Sequence, residues 1–457
     1  MASGTVPQRR NEYSRGRSVE EAFLFVNPKS GGNTGQLFLN VPQPFDVPLS
    51  DRTVSLRIFS MLDGTVGNKP GFHELVKTLS VQGGPEHVKV IVGGGDGTIM
   101  WVVQEAERHG IDVFQRLHIG IVPLGTGNDF SRAAGWGGKN PPQSMLENDC
   151  KYLRKLVRSW SRGKPDLHDV WHVKLVVNDE AGKIVKVASD KSEAIMDCKV
   201  IESPMLNYLS VGQDSEAGFD FEKNRHKSQC GNILQYAFSG LKVSAGFGRD
   251  TIRDVVQGMY HGEDTDGAPI FCTDEDELRE KGAPRLRRDP HILLVMNIKS
   301  YAGGAAPRLW QASTLRYGVD PPRDGDLLSQ PSHPGDEKLD VLTLRYAARV
   351  ITGSLVGGRR VFSGAPLYFD FHEWSDADNV GFFNIDGEYY KVVNPKSLSV
   401  THGGKLQVLH SKSSAAHQHH AHPDEVEDDS ESEDDVAHTT SQFQWLDCVR
   451  WGIDSPR

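Results

Sequence analysis

Apolar residues in this chain fall in short runs separated by glycine-rich turns. AFLFVN (22–27) is an apolar run ended by Pro28 and Gly31–Gly32, the pattern of a buried strand entering a loop. VSLRIFSM (54–61), VKVIV (88–92) and LHIGIVPL (117–124) are three further strand candidates. Between them, FHELVKTLS (72–80) has helical spacing. IMWVVQEAERHG reads as a helix stopped by Gly110, and FSRAAG as a short helix. Strands alternating with helices predict an α/β domain with a mainly parallel sheet. Three of these strands run straight into glycine-rich loops, at the end of an open α/β sheet where ligands bind.

Beyond about residue 168 the texture changes. WHVKLVV, EAIMDCKVI, NYLSVG, HILLVMNI, LDVLTLRY, APLYFDFHE and VGFFNIDGEYYKVV are strand-like, and ILQYAFSGLKV (233–243) is the clear helix candidate. The expected architecture is α/β followed by β: an N-terminal nucleotide-binding α/β domain and a larger, β-rich, sandwich-like domain. The expected divisions are a loose arm at 1–21, the first domain at 22–168, the second at 169–408 and a tail at 409–457. Residues 244–290, rich in Gly, Asp and Arg, read as a long insertion or loop. No internal repeat is visible.

Composition narrows the class. The 457 residues are 37% hydrophobic and 25% charged, enough for sizeable cores in two to four domains. No apolar run approaches the length of a spanning helix, and the first residues lack the apolar stretch of a secretory signal. Cys150, Cys198, Cys230, Cys272 and Cys448 lie too far apart for a zinc finger and form no disulfide framework. A reducing, cytosolic compartment is expected. The net charge of −10 argues against a strongly basic nucleic-acid binder. From Ser411 onward, 11 acidic residues face 3 basic ones, so that block carries −8 and the body only −2. Without apolar periodicity it reads as a solvated tail. Its His417, His419, His420 and His422 read as solvated, with metal binding as the alternative, and Ser430 and Ser432 stand among acids as phosphorylation candidates.

The candidate chemistry lies in the loops. Gly93–Gly94–Gly95–Asp96–Gly97–Thr98 sits between a strand and a helix. Such glycines let the backbone approach phosphate oxygens and aim N–H groups at them, and the helix N-terminus adds a favourable dipole. An aspartate there would repel bare phosphate. Asp96 therefore makes sense holding Mg²⁺ or orienting an acceptor hydroxyl. Neither the Walker A pattern nor the GxGxxG fingerprint is present. Asn27–Pro28–Lys29–Ser30–Gly31–Gly32 ends the first strand, and Pro123–Leu124–Gly125–Thr126–Gly127–Asn128–Asp129 ends the fourth.

NPKSGG, GGGDGT and PLGTGNDFSR, in that order and spacing, resemble the catalytic domain of the diacylglycerol kinases, and GWGG (135–138) resembles the small plant-type members. NYLSVGQDSEAGF (207–219), NILQYAFSG (232–240), NIKSYAGGAAPRLW (297–310) and NIDGEYY (384–390) are similar to the accessory domain that accompanies it. The resemblance covers roughly 22–408. It implies an ATP-dependent lipid kinase that phosphorylates diacylglycerol to phosphatidic acid, with Mg²⁺. It implies further that Asn27, Pro28, Lys29, Ser30 and Gly31 contact the nucleotide. Gly94, Gly95, Gly97 and Thr98 would cradle its phosphates, Thr126 with neighbouring Asn128 would reach a phosphate or the ribose, and Asp96 would serve Mg²⁺ or the acceptor. Similar lipid kinases place their base in the DGE element. That favours Glu388 with Asp386 beside it as catalytic carboxylates, against the plain reading of Asp-Gly as a hairpin turn. Bacterial relatives hold a structural Mg²⁺ at a DDGxLDV-like segment. Here Gly335 and Glu337 replace its first Asp and its Gly, leaving Asp336 as the candidate ligand.

Diacylglycerol stays in the bilayer, so the resemblance implies a cytoplasmic protein that associates peripherally with anionic lipid. In KYLRKLVRSWSRGK (151–164), Lys151, Arg154, Lys155, Arg158 and Arg162 flank Leu153, Leu156, Val157 and Trp160 on a helix. That pattern suits either an interfacial helix or a core helix with a solvated basic face. Kinases of sphingosine or ceramide are the nearest rivals, although Trp101 and Asn128–Asp129 favour diacylglycerol. An NAD kinase would lack the accessory motifs. A catalytically silent lipid-binding scaffold need not keep Asp96 and the DGE element.

Overall fold

The computed structural model describes residues 18–411 apart from 189, 225–249, 276–277, 280–281, 305–308, 312–315, 323, 346–357 and 374–378. The helix expected at 233–243, most of the arm and almost all of the acidic tail with its histidines and serines lie outside the described residues.

The N-terminal part is a parallel sheet of Arg52–Ser60, Ser18–Val26, Val88–Gly94 and Leu117–Pro123, in that order, edged by the antiparallel Phe45–Pro48. Its central strands are apolar on both faces because both are covered. Phe23 and Phe25 pack with Phe72, Leu75, Ile99, Val102 and Val103 on one side. Ala22, Leu24 and Val26 pack with Phe38, Leu153, Val157 and Trp160 on the other. The helices Pro70–Ser80 and Asp96–Arg108 thus cover one face and Glu147–Arg162 the other. The basic helix is therefore a core helix: Leu153, Val157 and Trp160 are buried, while Lys151, Lys155, Arg158 and Arg162 stand exposed.

The remainder is β-rich. The 16-residue strand Pro395–His410 runs antiparallel to Lys164–Val177 for its whole length, and its last residues lie parallel to Leu117–Pro123 (Gln407↔His118, Val408↔Ile119). The chain thus returns to the first sheet at its end, and one sheet of thirteen described strands passes through both parts. A second sheet, of nine described strands, includes Tyr208–Gly212, Ile292–Met296, Leu339–Leu344, Val380–Ile385 and Glu388–Val393. Inward residues from both sheets, among them Trp171, Leu398 and Phe369 from one and Leu209, Val295 and Phe383 from the other, form one apolar cluster.

Two segments differ from the sequence reading. EAIMDCKVI is not one strand: Glu193–Ile195 joins the second sheet and Val200–Met205 the first. The Asp197–Cys198–Lys199 stretch interrupts its alternation. Within 244–290, described residues form the strands Val256–His261 and Ala268–Cys272, a hairpin around the GEDTDG turn. Among the described residues no helix is long and apolar enough to cross a membrane.

Candidate active site

Register brings the loops together. Val26 lies beside Gly93, Gly93 beside Val122 and Gly94 beside Pro123, so three strands end flush. The N–H of Asn27 donates to Gly93 O (2.9 Å) and that of Leu124 to Gly94 O (3.0 Å). Two glycines are sterically required. A Cβ on Gly94 would stand 2.3 Å from Thr98 Oγ1, and one on Gly125 2.8 Å from both Gly95 Cα and Asn128 Oδ1. The 93–98 and 124–128 loops therefore touch backbone to backbone. Helix Asp96–Arg108 starts at this edge, which puts the positive end of its dipole there.

The residues expected to bind nucleotide fall on this edge with different exposures. Lys29 and Gly97 are exposed, Asn27, Ser30, Gly31, Gly95 and Thr126 are half-buried, and Pro28, Gly94 and Thr98 are buried. The 27–31 turn closes on Asn27, whose Oδ1 accepts the N–H of Lys29 (3.1 Å) and whose carbonyl accepts that of Ser30 (3.0 Å). Asn128 is buried with φ 55°. Its Oδ1 accepts the N–H of Gly125 (2.7 Å), and its Nδ2 donates to Gly125 O (3.0 Å) and Gly138 O (2.9 Å). Its amide is taken up in shaping the loop.

Three carboxylates converge here. Asp96 Oδ2 accepts the main-chain N–H of Asp129 (3.0 Å), while Oδ1 is shielded from solvent without a hydrogen-bond partner. Burial of the carboxyl, with the charges of Asp129 and Asp386 nearby, pushes Asp96 up to about 8 against the pull of the Asp129 and Phe130 N–H groups. The buried carboxylate of Asp129 accepts four donors from the β-rich part: Ser300 Oγ (2.6 Å) and Gly304 N (3.1 Å) on Oδ1, Gly303 N (2.8 Å) and Tyr208 Oη (3.1 Å) on Oδ2. Asp386 closes the hairpin between Val380–Ile385 and Glu388–Val393, with φ 49° and Gly387 at 88°, the double left-handed turn that Asp-Gly favours. Its carboxylate accepts the N–H groups of Leu206 (2.5 Å), Asn207 (2.8 Å) and Tyr208 (2.9 Å). Burial pushes it up to about 6, opposed by those three N–H groups and reinforced by the charge of Asp129.

Glu388 is elsewhere: exposed and ion-paired with Lys186. Asp336 stands in an exposed turn and accepts the N–H of Lys338 (3.0 Å). Among the described residues no group of three or more His, Cys, Asp or Glu side chains is placed to hold a metal ion. The sequence gives Asp129 weight only as part of Asn128–Asp129, with no catalytic or binding role. Its only signal is its place at the end of GTGND, and its partners Tyr208, Ser300, Gly303 and Gly304 lie in NYLSVG and NIKSYAGG, far away in sequence.

Comparison with known proteins agrees with this layout. Residues 21–156 match the diacylglycerol kinase catalytic domain and residues 204–389 the diacylglycerol kinase accessory domain. The chain is 28% identical to the eye-specific diacylglycerol kinase of Drosophila melanogaster over 68% of its own length and 18% of that protein's. It is 26% identical to diacylglycerol kinase 2 of Arabidopsis thaliana, over 87% of this chain and 47% of the relative. With diacylglycerol kinase 5 of the same plant the identity is 24%, over 94% and 86%. The chain thus spans less than half of the first two proteins.

Proposed function

The chain belongs to the diacylglycerol kinase family, and from that premise we propose that it transfers the γ-phosphoryl of ATP to the free hydroxyl of 1,2-diacylglycerol, giving phosphatidic acid and ADP. The observation that carries this reading is the meeting of Asp96, Asp129 and Asp386 at an edge built from three glycine-rich strand ends. Phosphoryl transfer needs positioned phosphates, neutralised charge and a group to take the acceptor proton. In this reading the 27–31 and 94–98 loops and Thr126 hold ATP. Asp386 takes the proton of the diacylglycerol hydroxyl, since a carboxylate raised to about 6 is a better base near neutral pH than an ordinary one. The donor set at Asp96 suits Mg²⁺: Oδ1 is a buried, unpartnered hard oxygen, and Mg²⁺ is commonly held by one or two carboxylates plus substrate phosphates. When bound there, Mg²⁺ supplies neutralisation of phosphate charge.

The acceptor is a bilayer lipid, so the reading includes peripheral attachment from the cytoplasm. Lys151, Lys155, Arg158 and Arg162 support it, each worth about 1 kcal/mol near an anionic surface. The shared apolar cluster between the two sheets supports a sandwich-like accessory part spanning about 169–408, with the final strand returning to a catalytic part at 22–168. The test is transfer from γ-labelled ATP with Mg²⁺ to diacylglycerol, sphingosine, ceramide and NAD, in mixed micelles for the lipids, with Asp96→Ala in parallel. Labelled phosphatidic acid lost in the variant is the expected result. Label on another acceptor would overturn the substrate.

A further inference from the structure

Tyr208 touches two of the three carboxylates at once. Its main-chain N–H donates to Asp386 Oδ1 (2.9 Å), its carbonyl accepts the N–H of Asp386 (3.0 Å), and its hydroxyl donates to Asp129 Oδ2 (3.1 Å). The ring is buried and meets Tyr301 edge-on, with centroids 4.8 Å apart. Asp129 in turn gives its N–H to Asp96.

We infer that Tyr208 is a positioning residue: from the accessory part of the chain it fixes Asp129 relative to Asp386 and thereby orients the N–H that Asp129 gives to Asp96. Its role in catalysis rests on the kinase reading above; its role as a clamp does not. Carboxylates gathered out of water repel one another and stay in place only where donors hold them. Asp129 has four donors, all from the accessory part, and Tyr208 and Ser300 are the two that are side chains. Asp386 has three, all main-chain. The Tyr208 hydroxyl is therefore a point where a side-chain change loosens Asp129 while the backbone cradle of Asp386, to which the same residue belongs, stays in place. Tyr301 provides the contrast. It lies against the same ring, but its hydroxyl donates to Asp214.

The test compares Tyr208→Phe, Ser300→Ala and Tyr301→Phe with the full chain. Tyr208→Phe keeps the ring and removes one donor, and Ser300→Ala removes another donor to the same carboxylate by a separate route. Two readouts are taken: amide hydrogen exchange in the 124–134 segment, and kcat and KM for ATP with diacylglycerol in mixed micelles. Both Tyr208→Phe and Ser300→Ala should speed exchange in that segment. Tyr208→Phe should lower kcat by about tenfold, the scale of one hydrogen bond to a charged group, while KM for ATP stays within about twofold. Tyr301→Phe should change neither readout. Wild-type exchange and kcat in Tyr208→Phe would overturn the inference, as would equal changes in Tyr301→Phe, which would mark a general packing effect. Should the wild type phosphorylate no diacylglycerol, the kinase reading falls, and the exchange comparison alone decides for or against the clamp.

Discussion

The main-chain N–H of Asp129 points at Oδ2 of Asp96 (3.0 Å), while the other oxygen of Asp96 lies buried with no hydrogen-bond partner. The 124–129 loop thus satisfies one oxygen of Asp96 and leaves the other without a partner. That arrangement is costly without a ligand, because an unpaired buried oxygen loses its water and gains nothing.

Asp96→Asn should therefore separate activity from stability. The amide keeps the shape and accepts the same N–H, but loses the charge that a metal–phosphate complex needs. Phosphoryl transfer should fall by about a hundredfold or more. Thermal stability should hold or rise. Burial raises the Asp96 carboxyl to about 8, so between its ordinary value and about 8 ionisation favours the unfolded chain, and the neutral side chain removes that bias. Differential scanning calorimetry beside the kinase assay checks both. A drop in melting temperature with activity intact would contradict the role given to Asp96.

The two carboxylates of the DGE element should behave differently. Asp386 is held by three N–H groups beside the other carboxylates, whereas Glu388 is exposed against Lys186. Asp386→Asn should cost about a hundredfold or more in kcat, and Glu388→Gln less than about tenfold. Steady-state kinetics of the two variants decides. The reverse order would give the proton-accepting role to Glu388.

What the sequence makes legible follows from how local each signal is. The strands ending at Val26, Gly94 and Pro123 finish on the short apolar runs AFLFV, VIVGG and IGIVP, and such runs report burial on both faces without reference to distant residues. The Asp386–Gly387 hairpin is equally local. Pro395–His410 is not, because its alternation passes through Thr401–His402–Gly403–Gly404 and only its partner Lys164–Val177 makes it one long strand. The same holds at the site. Asp96 is announced by the glycines around it, but Asp129 gains its meaning from Tyr208, Ser300, Gly303 and Gly304. The different surroundings of Asp386 and Glu388 are likewise not written locally: the first meets the N–H groups of Leu206, Asn207 and Tyr208, the second Lys186, all distant in sequence.

The glycine at the loop contact offers a steric test. A methyl group on Gly125 would meet Gly95 Cα and Asn128 Oδ1, both at 2.8 Å, and the first is backbone that cannot swing aside. Gly125→Ala should separate the 93–98 and 124–128 loops. We expect a loss of roughly 1–3 kcal/mol in chemical denaturation and a KM for ATP raised several-fold. Gly137→Ala is the control. That position has a positive φ of 78°, and an added Cβ would meet nothing within 4 Å, so strain appears there without loop contact. Equal KM values in the two variants would show that close approach of these loops does not matter for ATP.

A last prediction concerns acid. His168 is buried in Lys164–Val177; its ring lies 4.8 Å from that of Phe130 in the helix Asp129–Ala133, and its Nε2 lies 3.0 Å from Leu206 O. Burial pushes it down to about 4, helped by nearby His410 and His333 and opposed by the Leu206 carbonyl and Asp166. The unfolded chain takes up this proton near 6.5, and the folded chain only near 4. As pH falls through that window the unfolded state binds the extra proton, and stability is lost, up to about 3 kcal/mol at the acid end. Asp96, Asp386 and Asp340, all raised by burial, push the total slope the other way, so the wild-type profile alone does not isolate His168. The difference between wild type and His168→Gln does, because the amide keeps a neutral donor towards Leu206 and does not titrate. Urea unfolding at intervals from pH 7 to pH 4 should show the variant losing less stability than wild type, with the gap opening below about pH 6.5. Parallel profiles would mean that His168 takes its proton as readily folded as unfolded, and that water reaches the ring beside Phe130.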